Sequence, residues 1–483
     1  MRFIGKDPNI IDAYYTATAE GAITAGKPVI VEADGDVAQV SGSTNTTPSP
    51  GTPEVFENGA TNYFAIAYDS NAGKMVVAYQ DGDNSNYGTA VVGTVSGTSI
   101  TFGTPVVFES ASTLYIDMAY DANAQKVVIV YRDAGNGDDG TAIVGTVSGT
   151  SISFGSASVY NTQRSSHNAI AYDANAQKLV IAYQKPGNGE GMAIVGTVSG
   201  TSISFGSAAE FYNDNSEDMV CVYEENAQKV VIAYRNENNY GSAVVATVSG
   251  TDVSFGTPAV FESATSYYIS LAYDSNAQKI VVAYRDAGNS DHGTAIVGTV
   301  SGTSISFGTA AVFNSASTDY LSAAYDTLVQ GTVITYQDQG NSFKGTAIVG
   351  TVSGTSISFG TAGVFEDGSA SYGVVAYEPT AQKSVAAYRD GGNSNYGTAV
   401  VITAKNIITN LTSENYIGIA ADTYADNEDS TIGIVGCIDR NQTSLTAGQQ
   451  YFVQTDGTLA TTADDPSVLA GTAISATELV VKE

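Results

Sequence analysis

The chain has 483 residues, 43 % of them hydrophobic and only 14 % charged, so it is not a charge-driven disordered polymer. Its 19 Lys and Arg against 49 Asp and Glu give a formal net charge of −30. That argues against the basic surface a nucleic-acid binder needs and against a polybasic membrane anchor.

The opening residues, Met1 to Lys6, lack the apolar core of a secretory signal. No apolar run approaches the roughly 20 residues that span a bilayer, so membrane insertion is not expected. Thr24–Gly35 reads as a strand between an Ala-Gly turn and an Asp-Gly turn. Ser41–Pro50, rich in Ser, Thr and Pro, reads as a linker.

A repeat then takes over. Ala-Tyr-Asp-x-Asn-Ala-Gln-Lys recurs with its tyrosine at Tyr68, Tyr120, Tyr172, Tyr223, Tyr273, Tyr325 and Tyr377, spaced 50 to 52 residues apart, so seven repeats fill 51–404. Repeat two shows the plan: strands Ile116–Tyr120, Lys126–Tyr131, Thr141–Val147 and Ser151–Tyr160, punctuated by Gly, Asn and Ser. No segment has a convincing helical period, so helix should be nearly absent. Four-stranded repeats of this length indicate an all-β fold, a seven-bladed β-propeller, with a linear β-solenoid as the alternative. Repeat seven stops after its third strand, Thr398–Thr403, while Gly51–Glu57 matches Gly103–Glu109 upstream of repeat one. The N-terminal strand should therefore complete the last blade, a velcro closure that removes a free edge.

Beyond the repeats, Asn406–Glu414 reads as a second linker, and Thr446–Gly457 parallels Thr24–Gly35. The two ends, 1–45 and 405–483, are read as one small split β-domain into which the propeller, 51–404, is inserted. Closure puts chain entry and exit on the side of the third-to-fourth turns, where this domain is expected.

These segments carry a resemblance. The flanks, with Ala25-Gly26-Lys27-Pro28-Val29, Tyr416-Ile417-Gly418-Ile419-Ala420, Val453–Thr458 and the tail Ala470–Leu479, resemble β-domains of phage virion structural proteins. The repeat Gly-Thr-Ala-Ile-Val-Gly-Thr-Val-Ser-Gly-Thr-Ser-Ile-Ser-Phe-Gly resembles propeller repeats in tail-fibre-like proteins of marine tailed phages. The resemblance implies a virion surface protein assembled in the host cytoplasm. It would be anchored to other virion proteins through the split β-domain, be homo-oligomeric, and display the propeller for host adhesion. A tail-fibre or tail-associated position is favoured, with capsid decoration as the alternative. The resemblance brings no functional residues with it.

Within the chain, the repeats can be compared. The third-to-fourth turn, Ser-Gly-Thr, barely varies, whereas the second-to-third loops and the connections between repeats differ, as in Gly82–Tyr87, Lys185–Glu190, Asn161–His167 and Tyr212–Glu217. Loops on a rigid scaffold carry binding, so the varied face is the candidate ligand face. Its polar residues offer paired donors and acceptors, and its tyrosines offer flat rings with a polar tip. Those properties suit a host cell-surface glycan. The candidates are Tyr87, Tyr115, Tyr240, Tyr267, Tyr320, Tyr396, Asn213 and Asp214, with Tyr63 and Tyr372 of the same kind. The competing explanation is that the loops are merely soluble and the tyrosines cover the core.

Two carboxylate series recur. Asp69, Asp121, Asp173, Glu224, Asp274, Asp326 and Glu378 are expected to close hairpin turns and to pair with the lysine that six repeats carry five residues later. Asp81, Asp133, Asp286, Asp338 and Asp390 are expected to cap the second-to-third loops, with calcium at Asp81–Asn86 as the alternative. Arg132, Arg235, Arg285 and Arg389 recur at one position, which suggests pairing with backbone or loop acids. Cys221 and Cys437 fall in different domains and read as free thiols. His167 and His292 lie in separate loops, and no nucleophile, metalloprotease or phosphate-loop motif is present. No catalytic residue, metal ligand or cofactor is assigned, and a non-enzymatic protein is expected. A glycan-degrading propeller is the alternative, because acids are plentiful. Repeat four diverges most, around Asp214, Glu217, Asp218 and Cys221.

Overall fold

A computed structural model describes residues 13–464 and 466–482, so Met1–Lys6 lies outside the described residues. The chain divides into two compact units. One is drawn from both ends, up to Asn45 and from Asn406 on; the other is Thr46–Lys405. The described residues form an all-β, multi-sheet structure whose only helical pieces are the 3-10 turns Ala134–Asn136, Ala287–Asn289 and Gln339–Asn341.

The end unit holds two five-stranded antiparallel sheets. One mixes both ends of the chain, in the order Tyr14–Thr18, Asp429–Gly433, Tyr416–Ala420, Pro28–Val31, Val37–Gln39. The other is ordered Ile438–Asp439, Leu479–Val481, Val468–Ala473, Gln450–Val453, Leu459–Ala460. The two parallel sequence segments both form the expected strand between turns, with Gly26, Gly35, Gly448 and Gly457 at positive φ. The two segments read as linkers are not free connections. Gly42–Asn45 and Asn406–Thr409 pair with each other as an antiparallel ladder.

In the repeat array, second strands are apolar on both faces because each sheet is covered on both sides. In repeat two, Val127, Ile129 and Tyr131 pack on Val76, Ala78 and Val92 of repeat one. Val128 and Val130 pack the other way, on Ile170, Leu179 and Ile181 of repeat three. Met75, Val77 and Tyr79 of repeat one pack on Val385, Ala387 and Val401 of repeat seven, so the array meets itself. The backbone does the same: Glu54 pairs with Ala399, Glu57 with Gly397 and Pro50 with Ile402. Tyr68 Oη meets Thr380 Oγ1 at 2.9 Å across the same junction. Elsewhere the repeat tyrosine accepts a backbone N–H from the preceding repeat, as Tyr120 does from Asn71 at 3.2 Å.

Three expectations need correcting. The fourth strand is not continuous. Ser151–Phe154 and Ser158–Arg164 both pair with Asp139–Ser148 but are separated at Gly155. A Cβ at Gly155 would overlap the Thr201 carbonyl of the next repeat, and Gly51, Gly103, Gly206, Gly256 and Gly308 stand in the same relation to their neighbours. Second, the first strand is longer than predicted. Val106–Asp121 is a single 16-residue strand whose start pairs with repeat one and whose end pairs with its own repeat. Third, the first carboxylate series is buried and capped by backbone rather than by lysine. Asp69 accepts from Asn71 and Ala72 N–H, and Asp274 from Ala277 N–H. Among the described residues no ion pair joins these acids to the lysine five residues on. Two backbone donors close at hand satisfy a buried carboxylate better than an ammonium that would have to lose its water.

Candidate ligand-binding mouth

The innermost strand of every repeat carries the same bulge. In repeat one, Asn62 pairs with Gln80 and Ala65 with Ala78, so two residues face one. The first residue of that pair has positive φ in all seven repeats: Tyr63 50°, Tyr115 50°, His167 52°, Asp218 50°, Tyr268 50°, Tyr320 49° and Tyr372 54°. None is glycine, although glycine would adopt this conformation without steric cost.

The bulge sits at the loop end of the strand, just past the pairing of Thr61 with Asp81. It turns these seven side chains together. Ring centroids are 5.5 Å apart for Tyr63–Tyr115, 4.9 Å for Tyr115–His167, 5.1 Å for Tyr268–Tyr320, 4.7 Å for Tyr320–Tyr372 and 6.5 Å for Tyr63–Tyr372. The seven line one hollow of about 260 Å³. The aromatic circle continues through His167 and is broken at Asp218. Here Asp218 N–H donates to His167 Nδ1 at 3.1 Å, so a neutral imidazole carries its proton on Nε2. Burial pushes the His167 pKa down, which favours that neutral form. Arg235 Nε lies 3.2 Å from Asp218 Oδ2, and its Nη2 pairs with Glu217.

A second cavity shares Phe64, Ile116 and Leu321 with the mouth and adds Asp117, Cys221, Ser270 and Ser322. The Asp117 carboxylate accepts Met118 N–H at 2.8 Å and Ile170 N–H at 2.9 Å. Ser270 and Ser322 serve the same purpose for Ala323 and Val375 N–H. Burial raises Asp117 to about 6 and pushes the Cys221 thiol well up, which makes that thiol a poor nucleophile. Both cysteines are free.

The recurring arginines flank the mouth. The Arg132 guanidinium lies 5.0 Å from the Tyr115 ring centroid and 3.3 Å from Asp138. Arg285 pairs with Asp291 at 3.3 Å and with Asp319. Nearby acids are thus the partners of Arg132, Arg235 and Arg285, with tyrosine faces in addition, whereas Arg389 donates to the Asn62 side chain.

The sequence-derived candidates separate accordingly. Tyr115 and Tyr320 are in the mouth, with Tyr63 and Tyr372. Tyr267 is one residue too early. Its ring is held between the guanidinium groups of Arg235 at 4.9 Å and Arg285 at 4.6 Å, and Tyr268 takes the mouth position. Tyr87, Tyr240 and Tyr396 start third strands and do not line the mouth. Asn213 and Asp214 are exposed on the strand leading into repeat four, where the Asn213 carbonyl accepts from Asn188 Nδ2 at 3.2 Å. Sequence reasoning missed Tyr268, His167 and Asp218 as mouth residues. The signal was present, since each mouth residue lies five positions before a repeat tyrosine.

The second carboxylate series caps its loops as expected: Asp81 accepts from Asn84 N–H, Asp286 from Asn289 N–H and Asp390 from Asn393 N–H. Among the described residues no three His, Cys, Asp or Glu side chains come together as metal ligands.

No protein-family model and no curated protein matches the chain. Solved structures do. A lectin from Burkholderia pseudomallei matches with a TM-score of 0.54 at 8% identity, over 74% of this chain and 99% of its own. A mutant of AofleA from Arthrobotrys oligospora matches at 0.42 and 12% identity, over 72% and 98%. A mutant Aleuria aurantia lectin, in complex with Fucα1-6GlcNAc, matches at 0.41 and 12% identity, over 65% and 98%. The first of these is a likeness of fold, that of a lectin β-propeller.

Proposed function

We propose that Thr46–Lys405 is a seven-bladed β-propeller that binds saccharide at the mouth and catalyses no reaction. The observation that carries this is the left-handed conformation of seven bulky side chains around one hollow. Each costs about 1–2 kcal/mol that a glycine would not, and strain of this kind collects where a side chain serves a ligand. Tyrosine faces accept the apolar face of a sugar ring, while Asp218 and His167 offer hydroxyl partners. That the Burkholderia protein is a lectin accords with the reading. The test is binding of purified protein to arrayed oligosaccharides, with Tyr320→Ala as control. Saturable binding that the substitution lowers at least ten-fold is expected. No binding, or the release of new reducing ends, overturns the proposal.

The end unit is proposed to be the split β-domain that carries this propeller on a virion, as a homo-oligomer bound to other virion proteins. The support is the resemblance of the flanks and repeats to phage structural proteins. Many copies on one particle would turn weak single-site binding into avidity. Antibody labelling of intact particles tests this reading. Label on the tail is expected, label on the capsid would make it a decoration protein, and unlabelled particles would overturn it.

A further inference from the structure

The mouth is not electrically uniform. Arg132, Arg235 and Arg285 each meet at least one acid: Asp138, the pair Glu217 and Asp218, and the pair Asp291 and Asp319. Arg389 occupies the same repeat position and forms no ion pair among the described residues. The reason lies in two substitutions visible within the chain. Asn395 stands where repeats two and five have Asp138 and Asp291, and Asn62 stands where repeat six has Asp319. Arg389 Nη1 therefore donates to an amide, Asn62 Oδ1, at 3.0 Å. Its guanidinium lies 5.9 Å from the Tyr372 ring centroid, beside the mouth. In a chain of net charge −30, this half-buried cation is held in place without being neutralised.

We infer that the saccharide bound at the mouth is acidic, and that Arg389 receives its carboxylate or sulfate while the sugar ring lies on Tyr372 and Tyr63. This rests on the proposed saccharide binding and names its ligand class. A guanidinium presents parallel N–H donors that match either anion. The other arginines of the series are already occupied by the protein's own carboxylates, so a single anion per chain is selected.

The chain also supplies the variants. Gln80, Gln184 and Gln337 fill the Arg389 position in repeats one, three and six, so Arg389→Gln places there a residue the fold already accommodates. Asn62→Asp recreates the Asp319 arrangement and neutralises the cation without removing it. An array of neutral, carboxylated, carboxyl-reduced and sulfated oligosaccharides is probed with wild type and both variants, after thermal melts show that each is folded. Wild type is expected to prefer acidic members at least ten-fold, and both variants to lose that preference while keeping any neutral binding. Preference for carboxylated or for sulfated members names the anion. Equal binding of neutral and acidic members, or variants that still prefer acidic ones, overturns the inference and leaves saccharide binding standing. Binding to none of the array overturns both.

Discussion

At the scale of single residues, the bulge tyrosines make an unusual stability prediction. Alanine normally outperforms glycine in a strand because it loses less backbone freedom. At Tyr320, φ is 49°, where a Cβ is unfavourable. Tyr320→Gly should therefore be more stable than Tyr320→Ala by about 1 kcal/mol, read from urea midpoints, with both weak in saccharide binding. The reverse order would mean the conformation is not strained. Residue identities here were only partly legible from sequence. Tyr115 and Tyr320 were found because they are aromatic and lie near varied loops. Sequence alone does not separate the adjacent Tyr267 and Tyr268, because only the bulge decides which of them turns inward.

At the scale of elements, second strands and their turns were legible because β-branched runs such as Val127–Val130 end at residues that cap turns. The broken fourth strand was not, because its cause lies in the next repeat, where the Thr201 carbonyl crowds Gly155. The lysine pairing failed for a related reason: sequence shows that charges are near each other but not that the acid is already satisfied by backbone N–H. Gly103 tests the interlock. Gly103→Ala brings a Cβ onto the Thr150 carbonyl and should cost about 1–3 kcal/mol in a thermal or urea melt, as overpacking does. Gly149→Ala is the contrast, since its position has open space and carries only the penalty of a φ of 61°.

For the molecule as a whole, the pH dependence of stability should run opposite to the usual salt-bridged case. Burial raises the carboxyl pKa values of Glu57, Glu109, Asp117, Asp121, Asp133, Glu224, Asp274, Asp326 and Asp390. A carboxyl whose folded pKa exceeds its unfolded one makes the folded chain hold more protons, so stability falls as pH rises between the two values. For Asp117 that window runs from 3.8 to about 6. A thermal midpoint higher at pH 5 than at pH 8, at fixed ionic strength, is expected. Asp117→Ser, which copies Ser270 and Ser322, should flatten part of the slope. A midpoint that climbs steadily towards pH 8 would show that these acids are solvated. The pairing of Glu57 with Gly397 also bears on synthesis. The ribosome releases Glu57 before the repeats and Gly397 only within the last of them, so the growing polypeptide carries an unmatched ribbon throughout translation of the array. Two unfinished copies could satisfy each other by exchanging ribbons, which makes crowding on a polysome the natural hazard for this architecture.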